Sequence, residues 1–240
     1  MSTFLTAEWR NLIMAQYAID PTTLAPYLPR GVELDLHQNQ CYVSLVAFLF
    51  TNVRVKHLPI PFHTRFPEVN LRFYVRRTLP DGTHKRGVVF IREFVPRAAI
   101  TLIANTLYEE PYATLPIRSS LTSTPNSLSV AYTWKHSNRW HTLAVEAAPA
   151  PQPIPLNSVE EFLTEHYWGY TKRSNHTTSE YEVKHPRWLT YPIRNRTLDA
   201  DFATLYGPAF AHLNHQQPAN ILLAEGSPVS VHSGSRVALT

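Results

Sequence analysis

Residues 68–77 read EVNLRFYVRR, and this stretch decides the fold class. Val69, Leu71, Phe73 and Val75 share one parity, while Asn70, Arg72, Tyr74 and Arg76 share the other. A period of two is the mark of a β-strand, whose successive side chains point to opposite sides of a sheet. One face packs against a core and the other presents amide, guanidinium and phenol groups. Residues 128–135 repeat the pattern, with Leu128, Val130, Tyr132 and Trp134 alternating with Ser129, Ala131, Thr133 and Lys135. Working outward, further strands are predicted at 32–36, 42–50, 88–95, 142–146, 180–184, 221–223 and 229–232. The 88–95 run is nearly continuously apolar except for Arg92 and Glu93, which places it deep in a sheet.

Helical signals are fewer and shorter. Asp20-Pro21 reads as an N-cap followed by proline at the first helical position, with Leu24 and Leu28 on one face. A helix over 97–107 can follow Pro96 until Pro111 forbids continuation. Ser158 and Glu161 form an S-x-x-E capping box, after which Val159, Phe162, Leu163 and His166 line one face and Gly169 is the stop. A shorter helix is predicted over 199–206, capped by Asp199 or ended by Gly207-Pro208. The proline-rich connector AAPAPQPIP at 147–155 must run extended and reads as a stiff loop within a single domain spanning 1–240. Many strands with few, non-alternating helices predict an α+β fold built on a large antiparallel sheet or partly closed barrel, with a few short peripheral helices.

Composition narrows the function classes. Hydrophobic residues make up 44% and charged residues 17% of the 240, which excludes a disordered chain. The 7 glycines are dispersed and no GxSxG elbow is present, so nucleotide-fingerprint and serine-hydrolase readings drop out. Cys41, the single cysteine, rules out an internal disulfide and reads as a buried structural thiol. The net charge is +4, with its basic residues scattered rather than in a stripe, so no nucleic-acid partner is expected. The apolar run at 41–50 falls short of the roughly 20 residues a membrane helix needs, so no membrane span is expected. The opening MSTFLTAEWR lacks a secretory pattern, which makes the cytoplasm the expected location.

Several residues could carry chemistry. If the polar face of the 68–77 strand looks into a lumen, Arg72 offers a forked cation for a carboxylate or phosphate, and Asn70 and Tyr74 supply orienting hydrogen bonds. Glu93, inside an apolar strand, must find a cation such as Arg97 or have its pKa raised. His166, Tyr167, Trp168 and Tyr170 join an imidazole to aromatic rings at the expected helix end, while Glu165 reads as a solvated helix residue. The 12 histidines show no HExxH or Cys–His grouping, so no metal site is expected. None of Lys56, Lys85, Lys135, Lys172 and Lys184 stands in a wholly apolar context.

FLTAEWRNLIMAQYAIDPTTLAPYLPRGVELD at 4–35, the 68–76 strand, EFLTEHYWGYT at 161–171, EYEVKHPRW at 180–188 and LAEGSPVSV at 223–231 together resemble the YqjF-like family of uncharacterised bacterial proteins. The motifs span nearly the whole chain in the family's order. That family is more distantly similar to acetoacetate decarboxylase. The resemblance implies a cone-like β-barrel with a ligand cavity, and in the decarboxylases a buried lysine forms a Schiff base with the substrate. Laid against them, this chain has Pro111-Tyr112 where the proline and that lysine stand, and Ala18 opposite their early arginine, so the lysine chemistry does not carry over. The expectation is therefore a protein with an internal cavity that binds a small anionic or oxygenated organic molecule, a carboxylate being one candidate, without cofactor or metal. Arg72 would hold the anion, Asn70 and Tyr74 would orient it, Glu93 would supply a carboxyl, and Tyr112, His166 and Trp168 would wall the cavity. Two alternatives stand beside it. One is a decarboxylase-like lyase with a relocated lysine, Lys172 or Lys184. The other is a non-catalytic interaction protein presenting Trp140 and Trp188. Whether a reaction follows binding, and whether the chain forms a homo-oligomer, stay open.

Overall fold

A computed structural model describes residues 2–98, 100–101, 111–173 and 177–237. Its first long strands are β1 (Thr3–Ala18), β2 (Tyr42–Val55), β3 (Phe66–Thr78) and β4 (His84–Val95), each antiparallel to the next. After β4 come β5 (Tyr112–Thr114), β6 (Ile117–Ser123), β7 (Leu128–His136) and β8 (Arg139–Ala147). The last are β9 (Trp168–Lys172), β10 (Thr178–Lys184), β11 (Ile193–Asp199) and β12 (Asn220–His232). β12 pairs with β1 on one side and β10 on the other, and β10 leads through β9 back to β4. The strands thereby close a ring. β6, β7, β8 and β11 form a separate four-stranded antiparallel sheet.

The alternation along β3 gives the ring two cores. Leu71, Phe73 and Val75 point outward and pack with Val130, Trp134 and Leu143 of the second sheet. Tyr74 points inward with Leu12, Met14, Phe48 and Phe66. Because β1 is covered on both sides, Leu12, Ile13, Met14 and Ala15 are all buried, and its sequence shows no period of two. Irregularities bend the long strands. Asn11 and Asn52, both at φ 54°, sit where the β1–β2 register slips, and Gly226, at φ 80°, lies opposite Arg10. Such bulges increase local twist and bend a strand, which lets the sheet curl upon itself.

The sheet is mixed rather than purely antiparallel, since β5 and β9 both run parallel to β4. The segments expected at 221–223 and 229–232 are one strand, β12. Short helices flank the sheet, among them α1 (Pro21–Leu24), α2 (Val159–Thr164) and α3 (Phe202–Tyr206). The caps follow the sequence signals with one correction. Thr22 N donates to Asp20 at 2.8 Å and Glu161 N donates to Ser158 Oγ at 3.1 Å, but α3 is capped by Asp201, which accepts from Thr204 N at 3.2 Å, rather than by Asp199. The helix expected over 97–107 falls largely outside the described residues. Trp188 is not a surface residue. It is 4% exposed, and its Nε1 donates to Ser227 Oγ at 2.9 Å, whereas Trp140 is exposed beneath the Arg118 guanidinium. No helix among the described residues is long and apolar enough to cross a membrane.

Candidate functional site

The ring interior holds a pocket of about 150 Å³, bordered by side chains from β1 to β5 and from β9, β10 and β12. Trp9, Phe48, Phe50, Phe66, Val88 and Trp168 give it apolar walls. Much of its polar lining is concentrated in Glu68, Asn70 and Arg72 from β3, Glu93 from β4, Tyr112 from β5, and His166, with His63 and Tyr181 also on the lining. Six of the seven residues singled out from the sequence thus border one pocket. Tyr74, the seventh, lies behind it, its hydroxyl 2.6 Å from Ser44 Oγ and its ring 4.8 Å from the His166 ring.

Glu68 completes the constellation, and the sequence reading passed over it although it shares the parity of Asn70 and Arg72. Its carboxylate accepts from Asn70 Nδ2 at 2.8 Å and from the Tyr112 hydroxyl at 3.1 Å, and is hydrogen-bonded to the Glu93 side chain. Glu68 is 2% exposed and Glu93 1%. Burial pushes the Glu68 carboxyl up to about 7, against the pull of these hydrogen bonds and of the Arg72 charge.

Glu93 reaches the pocket through an irregularity in β4. Phe90 lies opposite Arg72 and Arg92 opposite Leu71, so the pairing skips Ile91, and Glu93 falls opposite Asn70. Without that extra residue the carboxyl would point to the outer face. Arg92 turns outward, its Nη1 donating to the Leu205 carbonyl at 3.1 Å, while Glu93 turns inward and is felt by the Glu68 carboxyl.

Arg72 is 8% exposed, with its guanidinium 6.0 Å from the centre of the Tyr74 ring. Its Nε, together with Asn70 Oδ1 and His166 Nδ1, is buried and has no hydrogen-bond partner among the described residues. His166 Nε2 lies 3.0 Å from Asp35 Oδ2, which also accepts from Arg86 Nε at 2.6 Å. Burial pushes the imidazole down to about 4, so the ring is neutral at pH 7, donates Nε2–H to Asp35 and keeps Nδ1 as an acceptor. Burial opposes ionisation of Asp35 as well, yet the hydrogen bonds from His166 and Arg86 hold its carboxyl below the usual range.

The motif EHYWGY is not a helix end. α2 stops at Thr164, and Trp168 and Gly169 pair with Gly87 and Val88 of β4, where a Cβ on Gly87 would run into the Trp168 backbone. Tyr170 therefore faces the outer core, donating its hydroxyl to the Lys85 carbonyl at 3.1 Å. Tyr167 donates to Glu165 at 2.6 Å, which makes Glu165 a partnered residue just past the helix rather than a solvated one within it. Among the described residues no lysine borders the pocket. Lys172 Nζ donates to the Pro26 carbonyl at 2.9 Å, and Lys184 Nζ lies 3.4 Å from Glu182. Cys41 is buried, and burial pushes its thiol up to about 11.

Comparison with known proteins places this architecture. Over its length the chain superposes on acetoacetate decarboxylase from Legionella pneumophila, with a TM-score of 0.64 at 13% identity, covering 99% of this chain and 90% of that one. The enduracididine biosynthesis enzyme MppR matches with a TM-score of 0.67 at 12% identity, over 99% and 89% of the two chains. An acetoacetate decarboxylase-like enzyme from Sphingomonas wittichii RW1 gives 0.65 at 12% identity, over 100% and 95%. At these identities the likeness concerns the fold, which is acetoacetate decarboxylase-like. In sequence, the uncharacterized protein YqjF of Bacillus subtilis is 30% identical over 186 residues, 75% of this chain and 72% of that protein. Residues 6–228 match the family model DUF2071, "Uncharacterized conserved protein", and the chain belongs to this family, with YqjF as a relative.

Proposed function

We propose that the ring interior binds a small anionic or oxygenated organic molecule, with a carboxylate as its anionic group. The observation that carries this reading is the buried Arg72 within the polar cluster of a largely apolar pocket, with a guanidinium nitrogen lacking a partner among the described residues. A buried cation is costly unless an anion or a set of acceptors meets it, and a forked guanidinium suits a planar carboxylate. Asn70 and Tyr112 orient the ligand, while His166 and Trp168 close its sides. The Arg72 charge acts on the Glu68 carboxyl and its guanidinium is hydrogen-bonded to Tyr74, while its Nε remains for a ligand anion. MppR, which shares the fold, has been solved complexed with pyruvate, a small carboxylate that suits a pocket of this kind. The reading assigns no Schiff-base lysine; among the described residues that border the pocket there is none.

The test is thermal denaturation against a panel of small organic acids, with Arg72→Gln beside the natural protein. A ligand present at 100 times its Kd stabilises by about 2.7 kcal/mol, several degrees for a chain of this size. The expected outcome is a shift with at least one acid that is lost or strongly reduced in Arg72→Gln. Equal shifts in both proteins, or no shift with any acid, would dismiss the reading.

A further inference from the structure

We infer that Glu68 and Glu93 form a carboxyl pair that holds one proton between them and works as a combined general acid and base on the bound molecule, whose class is a small oxo acid with a removable proton beside its carbonyl. The inference rests on the binding reading above and adds a reaction to it.

Two buried carboxyl groups brought to one pocket, Glu93 opposite the Asn70 that donates to Glu68, repel each other when both are ionised, so the pair keeps a proton. The pair is assembled rather than incidental. The skipped pairing at Ile91 turns Glu93 inward opposite Asn70, and Asn70 and Tyr112 both donate to Glu68 from adjoining strands. Both carboxyl groups border the pocket, and so does Arg72, nine-tenths buried with its Nε unpartnered among the described residues. The pocket thus offers a cation for the ligand's carboxylate, a base and an acid.

That combination performs one reaction class without a further reactant. The ionised oxygen of the pair takes the proton from the carbon beside the carbonyl. The C–H bonding pair becomes the new C=C bond, the carbonyl π pair moves onto oxygen, and that oxygen takes the proton the pair had held. The oxo acid becomes an enol, and the reverse step restores the C–H bond. Among the described residues Tyr112 and Arg72 act on Glu68, and His63, His166 and Tyr181 share the lining. His166 is neutral at pH 7, so Arg72 supplies the positive charge there.

The experiment follows hydrogen–deuterium exchange at the methyl group of pyruvate, and at the C3 position of 2-oxobutanoate, by proton NMR in heavy water with the full-length protein. The expected result is exchange above the buffer rate with a bell-shaped pH profile. The fully protonated pair lacks a base and the fully ionised pair lacks an acid. Glu68→Gln and Glu93→Gln should each lower the rate about 100-fold or more while pyruvate still shifts their melting temperatures. Lys184→Ala, on the surface, should leave the rate unchanged. An infrared difference spectrum between acid and alkaline pH should show a protonated carboxyl stretch near neutrality that Glu68→Gln removes, a signal that a purely packing role would not give. Binding of both oxo acids without exchange overturns the inference and leaves the binding reading standing. Absence of binding by any acid in the panel removes both. Exchange that survives both substitutions, or no carboxyl stretch in the natural protein, also overturns it.

Discussion

Replacing Glu68 by glutamine should stabilise the protein at alkaline pH and leave it unchanged in mild acid. The glutamine amide keeps the size of the carboxyl group, can accept from Asn70 and Tyr112, and can donate to Glu93. What it lacks is a proton to lose. The ordinary value for the Glu68 carboxyl is 4.5, and burial raises it to about 7 in the folded protein. The sign follows from the excess of bound protons in the folded state between those two values. Stability falls as pH rises through the window from 4.5 to about 7, and the loss is complete above it. At about 1.36 kcal/mol per pKa unit, the gap amounts to roughly 3 kcal/mol. Urea denaturation of the two proteins at pH 5 and pH 8.5 reads it directly. With an m-value of about 3 kcal/mol per molar, Glu68→Gln should unfold about 1 M later in urea at pH 8.5 and at nearly the same concentration at pH 5. Asp35, His166 and the surface carboxylates titrate in both proteins, so their contributions cancel in the difference. An equal difference at the two pH values, or a variant less stable at pH 8.5, would refute the argument that burial holds the Glu68 proton.

His166→Gln should flatten the acid limb of the stability curve. The folded imidazole titrates near 4 and the unfolded one near 6.5, so the natural protein loses stability as pH falls through that interval and the variant lacks this contribution, as denaturant midpoints across pH 4–7 would show. Gly169→Ala should cost about 1–3 kcal/mol in thermal or urea unfolding, because the new methyl would run into the Tyr181 ring across β9 and β10. Trp134→Ala, emptying the core between ring and second sheet, should cost about 3–5 kcal/mol by the same measurement. Arg72→Gln should weaken binding of a carboxylate ligand by about 10- to 100-fold in a calorimetric titration, since charge-assisted hydrogen bonds contribute about 1.5–3 kcal/mol.

Legibility in the sequence follows burial. β3 announces itself because its faces differ: Leu71 and Phe73 meet the second sheet, while Asn70 and Arg72 border the pocket. The same parity that places Asn70 inward also places Glu68 inward, so that residue could have been found by extending the alternation one step. β1 was silent because both its faces are buried, and Asn11 breaks its pairing with β2. The inward turn of Glu93 depends on a skipped pairing that no residue type along β4 advertises. EHYWGY read as the end of a helix because the capping box before it is genuine, yet the helix lasts only to Thr164. The strand that follows is specified by contact with β4, and the only local cues are the glycines at 87 and 169 that let backbone and ring approach closely. The resemblance to the YqjF-like family identified the ring architecture that the alternation alone left as sheet or barrel.

A crystal structure of the protein grown with pyruvate tests the account most directly. The account predicts a pyruvate molecule in the ring interior, its carboxylate on the Arg72 guanidinium and its carbonyl end toward Glu68 and Glu93. Pyruvate held elsewhere, or an Arg72 guanidinium that meets only protein groups at a saturating concentration, would contradict it.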